Sequence, residues 1–233
     1  MYNRDYLSNQ SSQYTQESSQ VQMMSFLKAT YQLFAGSLLA ATAGAYIGLG
    51  IVSILMGPMK WVLFGIELVL IFFVIPKVKH TPGVNLAVLF AFTFITGLTI
   101  APLLMSIFAM PDGAAIVGQA FLMTSVAFGG ISMFAMTTKR DFSSMGKFLI
   151  IALIIMIVAG ISNIFIQSSM MQLAIASVGA LLFSAFILYD TQNIIKGAYD
   201  SPIEASLALY LDFLNLFISL LQILGIMNSG DKE

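Results

Sequence analysis

Residues 207–226 read LALYLDFLNLFISLLQILGI, and this stretch decides the fold. Twenty residues at about 1.5 Å each make a helix of about 30 Å, the thickness of a bilayer's hydrocarbon core. Within it Asp212, Asn215, Ser219 and Gln222 follow one another at three, four and three residues. At 3.6 residues per turn all four share one face, so a polar stripe runs down an otherwise apolar helix. A carboxylate in a spanning segment is costly, and it faces a bundle interior or a water-filled path rather than lipid. This helix is therefore expected to be central, with six others packed around it.

The rest of the chain agrees with a membrane setting. Of 233 residues 58% are hydrophobic and only 9% charged, with a mean hydropathy of +0.91, far from the quarter-charged composition of a soluble domain. The fold class is an all-α integral membrane protein of seven transmembrane helices, in contact with the lipid bilayer. A net charge of −1 with scattered basic residues gives nucleic acid no footing. Without cysteine there is no disulfide, thiolate metal site or thiol chemistry. The single histidine, His80, falls in a short polar loop, which removes an intramembrane zinc cluster and a membrane serine protease. No activated nucleophile or cofactor lysine is visible, so the chain does not read as an enzyme and no cofactor is expected.

Residues 1–21 are rich in Ser and Gln, carry only Arg4, Asp5 and Glu17 as charges, and show no apolar period. They read as a disordered tail and lack the pattern of a secretory signal. Seven apolar runs follow, at 29–55, 61–75, 86–108, 114–136, 148–166, 173–191 and 207–226, so the membrane domain covers residues 22–228 and a short tail covers 229–233. The breaks carry turn chemistry: Gly57-Pro58, Thr81-Pro82-Gly83, Pro111-Asp112-Gly113 and Ser201-Pro202. In the first run Gly36, Ala40, Gly44 and Gly48 recur every four residues. That small-residue face suits close helix packing, within the bundle or between two copies.

With the N-terminus cytoplasmic, that side holds Arg4, Lys28, Lys77, Lys79, Lys139, Arg140, Lys147 and Lys196, against Lys60 and Lys232 on the other. The positive-inside rule therefore predicts a cytoplasmic N-terminus and a C-terminus outside. In that orientation Asp190 lies near the cytoplasmic end of the sixth span and Asp212 about 8 Å into the seventh, within roughly a helical turn in depth. Glu67, at the midpoint of the second span, is a third intramembrane acid. Two carboxylates in a low-dielectric site cannot both remain charged unless a cation or basic group joins them, so the pair is a proton-responsive switch. It could also supply part of a Ca²⁺ site, completed by carbonyls or water. The plainer reading is two satisfied groups that tie the sixth and seventh helices together.

The segment 187–197, ILYDTQNIIKG, followed by LYLDFLNLFISLLQILG in the seventh span, resembles the signature of the Bax inhibitor family, the transmembrane Bax inhibitor motif proteins. The likeness is strongest to bacterial calcium-leak members, and seven spans and chain length agree with it. The resemblance implies six helices around a central seventh and a pH-sensitive calcium leak. Its gate would be Asp190 and Asp212, with Glu67 matching the family's second-span acid. It also implies a basic latch at the cytoplasmic end of the second span. An ungapped match places Val78 there, flanked by Lys77 and Lys79 as the candidates.

Two functions follow as expectations. One is a passive Ca²⁺ channel or leak in a bacterial inner membrane, gated by Asp190 and Asp212 and lined by Glu67, Asn215, Ser219 and Gln222. The other is a non-transporting regulator that binds an FtsH-type membrane AAA protease through its N-terminal tail.

Overall fold

The computed structural model describes residues 2–230, with side chains over residues 20–229. Residues 231–233 of the expected C-terminal tail, Lys232 among them, lie outside the described residues. In chain order the helices are α1 (Tyr2–Gly50), α2 (Val52–Leu55), α3 (Met59–Val69), α4 (Ile75–Val78), α5 (Val84–Phe108), α6 (Gly113–Thr137), α7 (Gly146–Ile166), α8 (Ser169–Ile195) and α9 (Pro202–Gly230). A π-helical turn, Leu70–Val74, joins α3 to α4, and a 3₁₀ turn, Ser143–Met145, leads into α7. There is no strand among the described residues. Seven segments are long and apolar enough to cross a membrane: Gln20–Gly50, Met59–Val78, Val84–Phe108, Gly113–Thr137, Ser143–Ile166, Ser169–Ile195 and Pro202–Ser229.

Helix α1 is continuous from Tyr2, where the sequence suggested a disordered extension up to Val21. No Gly or Pro precedes Gly36, so nothing in the polar segment interrupts the helix that the apolar span nucleates. The small-residue face of α1 packs inside the bundle. A Cβ at Gly44 would strike the Phe94 carbonyl of α5, one at Gly97 of α5 would strike the Ala41 carbonyl, and one at Gly48 would press on Ala101 and Leu98. Backbones this close leave no room for a second copy on that face.

The seventh span, α9, is the most buried: half of its spanning window lies inside the protein, against 6% for the second span and 11% for the fifth. Its packing corrects one expectation. Helix α9 lies against α8, α1, α6 and α5, while the fifth span packs on α8 and the second on α5. The seventh helix is thus surrounded by four neighbours rather than six. Large side chains of the two outer spans, such as Phe72, Phe73, Ile154 and Ile155, point outward and form the surface a bilayer covers.

Candidate functional site

The site forms where α8 ends and α9 begins. Gly197, at φ +70°, stops α8: its amide donates to the Ile194 carbonyl at 3.1 Å and the Ala198 amide to the Asn193 carbonyl at 2.9 Å. These two bonds make a Schellman motif, which needs the left-handed residue that glycine supplies. Four residues later Ser201 caps α9, its Oγ accepting from the Ile203 amide at 3.2 Å, with Pro202 at the first helical position and Glu204 in the first turn. The connection is therefore fixed at both ends.

Between these ends the last turns of α8 and the third turn of α9 face each other. Asp190 and Asp212 are both buried, at 7% and 5% exposure, and their carboxyl groups come close enough for a direct side-chain hydrogen bond. Asn193, one turn beyond Asp190, also lies within hydrogen-bonding reach of it. Tyr199, from the connection, donates its hydroxyl to Asp190 Oδ1 at 2.8 Å. No described N–H or O–H donates to Asp212 Oδ2. An orphan buried carboxyl oxygen beside a second carboxyl lacks one hydrogen, and a proton shared by the pair would supply it. Other buried hydroxyls without a described partner lie on α1: Thr30 Oγ1, Tyr31 Oη and Ser37 Oγ. Of these, Tyr31 stands near Ser132 and Thr191, so polar groups reach from the pair toward α1 and α6.

The remaining sequence-predicted residues fall elsewhere. Glu67 is half-buried and accepts a 2.6 Å hydrogen bond from Thr99 of α5. Lys77 is exposed and forms no ion pair among the described residues. Lys79 does not reach the aspartate pair: its Nζ lies 3.0 Å from Asp200 Oδ1 and 3.0 Å from Glu204 Oε2. The expected basic latch thus closes on the connection that carries Tyr199, where Lys79, at the end of α4, meets two carboxylates that hold it away from the aspartate pair. Down the stripe, Asn215 donates back to the Leu211 carbonyl at 2.7 Å, and Ser219 is packed against Gly179 of α8. Gln222 lines a cavity of about 550 Å³ at the opposite end of the bundle, together with Ser106, Gln172 and Ser229. The stripe is closed by packing between Asp212 and Gln222.

Three residues of the site, Tyr199, Asp200 and Glu204, escape a reading of intramembrane acids because they lie in or beside a loop. The signal for them was local: a helix-stopping Gly197 and the Ser201-Pro202-x-Glu204 start enclose them within one short connection. Two carboxylates and a phenol fall short of the six to eight oxygens Ca²⁺ takes, so a calcium ion held here would need carbonyls or water to complete its shell; no group of three acids or histidines gathers among the described residues.

The sequence model of the family described as "Inhibitor of apoptosis-promoting Bax1" matches residues 23–229. An uncharacterized protein of Campylobacter jejuni is 51% identical over 232 residues, 98% of this chain and 99% of its own. An uncharacterized membrane protein of Vibrio cholerae is 43% identical over 207 residues, 88% of this chain and 91% of its own. A Golgi anti-apoptotic protein of vaccinia virus is 39% identical over 151 residues, 64% of this chain and 62% of the viral one.

Proposed function

We propose, for a chain that belongs to the Bax inhibitor family, that this integral membrane protein is a pH-sensitive calcium leak gated by Asp190 and Asp212. The observation that carries the reading is the buried carboxyl pair with an orphan oxygen at Asp212. When the pair shares a proton it carries one negative charge and ties α8 to α9. When that proton leaves, two like charges face each other in a poorly polarisable interior, and the contact loses its hydrogen bond. Separation of the two helices at that end would free Asn215 and Ser219 to line a path toward Gln222. Calcium is the cargo in this reading and needs no resident site: the carboxylates attract it and lend some of its oxygen ligands in passing.

The excess of Lys and Arg at the end that holds Asp190 supports a cytoplasmic gate in a bacterial inner membrane, with the N-terminus inside and the C-terminus outside. The test is calcium flux into proteoliposomes across a pH series. Asp190→Asn and Asp212→Asn are each expected to change the flux and flatten its pH response. If both variants keep the wild-type profile, the pair is not the gate.

A second reading is a regulatory protein without transport, which the name of the viral relative and the helical extension of α1 ahead of its span support. Its partner would be a membrane AAA protease. Pull-down from native membranes with and without residues 1–21, beside a flux measurement, separates the two. Tail-dependent capture together with no flux favours the regulator.

A further inference from the structure

We propose that residues 197–201 act as a strap that holds Tyr199 over the aspartate pair, and that Lys79 of the second span is the clamp that keeps the strap closed. The strap regulates the gate assigned above and takes its functional meaning from that reading, although its geometry stands without it.

The connection is rigid at its two ends, by the Schellman bonds at Gly197 and the cap at Ser201, so only residues 198–200 lie between fixed points. Tyr199 turns inward to Asp190 at 2.8 Å, and the next residue, Asp200, turns outward and is 62% exposed. Lys79 Nζ donates to both Asp200 oxygens, at 3.0 and 3.1 Å, and to Glu204 at 3.0 Å. The backbone is tied as well: the Lys79 carbonyl accepts from Ser201 Oγ at 3.3 Å and from Asn85 Nδ2 at 3.1 Å. His80 Nε2, 3.6 Å from Asp200 Oδ2, completes the outer group. Neighbouring side chains thus face opposite ways, and whatever moves Asp200 moves Tyr199.

The clamp comes from the least anchored span. The second span has 6% of its window buried. It also carries the π turn Leu70–Val74 just before Pro76, whose missing N–H and bulky ring disturb the ladder four residues back. A helix held by little packing moves readily, and its lysine grips the strap from the water side. Lys79 is 20% exposed against 62% for Asp200, so the grip sits at the water boundary, where salt reaches and screens its Asp200 side. A contact so placed suits a catch that opens.

The cysteine-free chain allows a direct test. Asn193→Cys places a partly buried thiol beside Asp190, on the carboxyl that Tyr199 also reaches, and its labelling by a charged, membrane-impermeant maleimide reports how open the strap is. Lys79→Met and Asp200→Asn are each expected to raise the labelling rate roughly two- to fivefold, the population change an exposed ion pair commands. The double variant is expected to match either single one. Tyr199→Phe should raise labelling with the clamp intact, and Lys79→Arg should restore the closed rate. About 1 M salt, where the screening length is about 3 Å, should open the wild-type strap and leave Lys79→Met unchanged. Melting temperature in detergent checks that each variant is folded. Labelling that ignores Lys79→Met, Asp200→Asn and salt in folded protein overturns the strap. If labelling responds while no variant carries calcium, the strap stands and the leak reading falls. If Asp190→Asn changes the flux while labelling is indifferent to the clamp, the leak reading stands and the strap falls.

Discussion

The second and seventh spans each carry a carboxyl group inside the membrane, yet the two groups live under opposite conditions. Glu67 sits in the least buried span and has its donor, Thr99, at 2.6 Å. Asp212 sits in the most buried span, beside another acid, with one oxygen lacking any described donor. An intramembrane acid is costly wherever it occurs. What separates a structural acid from a switch is whether its hydrogen-bonding needs are met without a further proton or cation. By that measure Glu67 is a tie between the second span and α5, and the Asp190–Asp212 contact is the group waiting for something.

The largest expected effect tests this contrast directly. In calcium flux measurements Asp212→Asn should flatten the pH profile, since an amide cannot take up or release the shared proton, while Glu67→Gln should leave the profile's shape intact. The comparison breaks if Glu67→Gln flattens it and Asp212→Asn does not. The next effect is on stability. Thr99→Val removes the donor to Glu67 and should lower unfolding stability in detergent by about 1–3 kcal/mol, the cost of an unsatisfied partly buried group. Adding Glu67→Leu should recover most of that loss, because replacing both partners by apolar groups leaves nothing unpaired. Additive losses in the double variant would mean that Thr99 and Glu67 do not act as a pair.

How far each region could be read in advance follows from the range of the interactions that build it. The seven spans are local in origin, and length with hydropathy found them all. The meeting of Asp190 and Asp212 was also legible, because two helices joined by a short connection must bring the end of one beside the start of the other. The place of the second span was not expected, although it and the fifth are the two most apolar of the seven, which is the composition of helices that face lipid on most sides. The polar stripe of α9 promised a path, and the structure fills it. Asn215 turns to its own backbone and Ser219 meets a glycine of α8, because small residues let these helices approach. The destination of Lys79 lies 121 and 125 residues away, at Asp200 and Glu204. No periodicity carries such a contact, and only the folded ends of two spans show it.

The smallest expected effect separates the clamp from the pair by pH. Glu204 first and Asp200 second hold the Lys79 ammonium above the ordinary lysine range. Lys79 first and Glu204 second hold the Asp200 carboxyl below the ordinary carboxylate range. A depressed carboxyl contributes its pairing above its ordinary value and loses it as pH falls through the lowered one. A raised ammonium contributes below its ordinary value and loses it as pH rises through the raised one. Between about pH 5 and pH 9 neither group titrates, so the clamp is constant there. The Tyr199 phenol, pushed upward by burial first and by Asp190 second, keeps its donating proton throughout. Labelling of Asn193→Cys is therefore expected to stay flat across that window once corrected for the reagent's own pH dependence. A His80→Asn background removes the imidazole that faces Asp200. Flux through the pair, by contrast, is expected to vary with pH. Labelling that follows the flux with pH would merge the two into one device, because the charges that hold the strap would then be titrating with the acids beneath it.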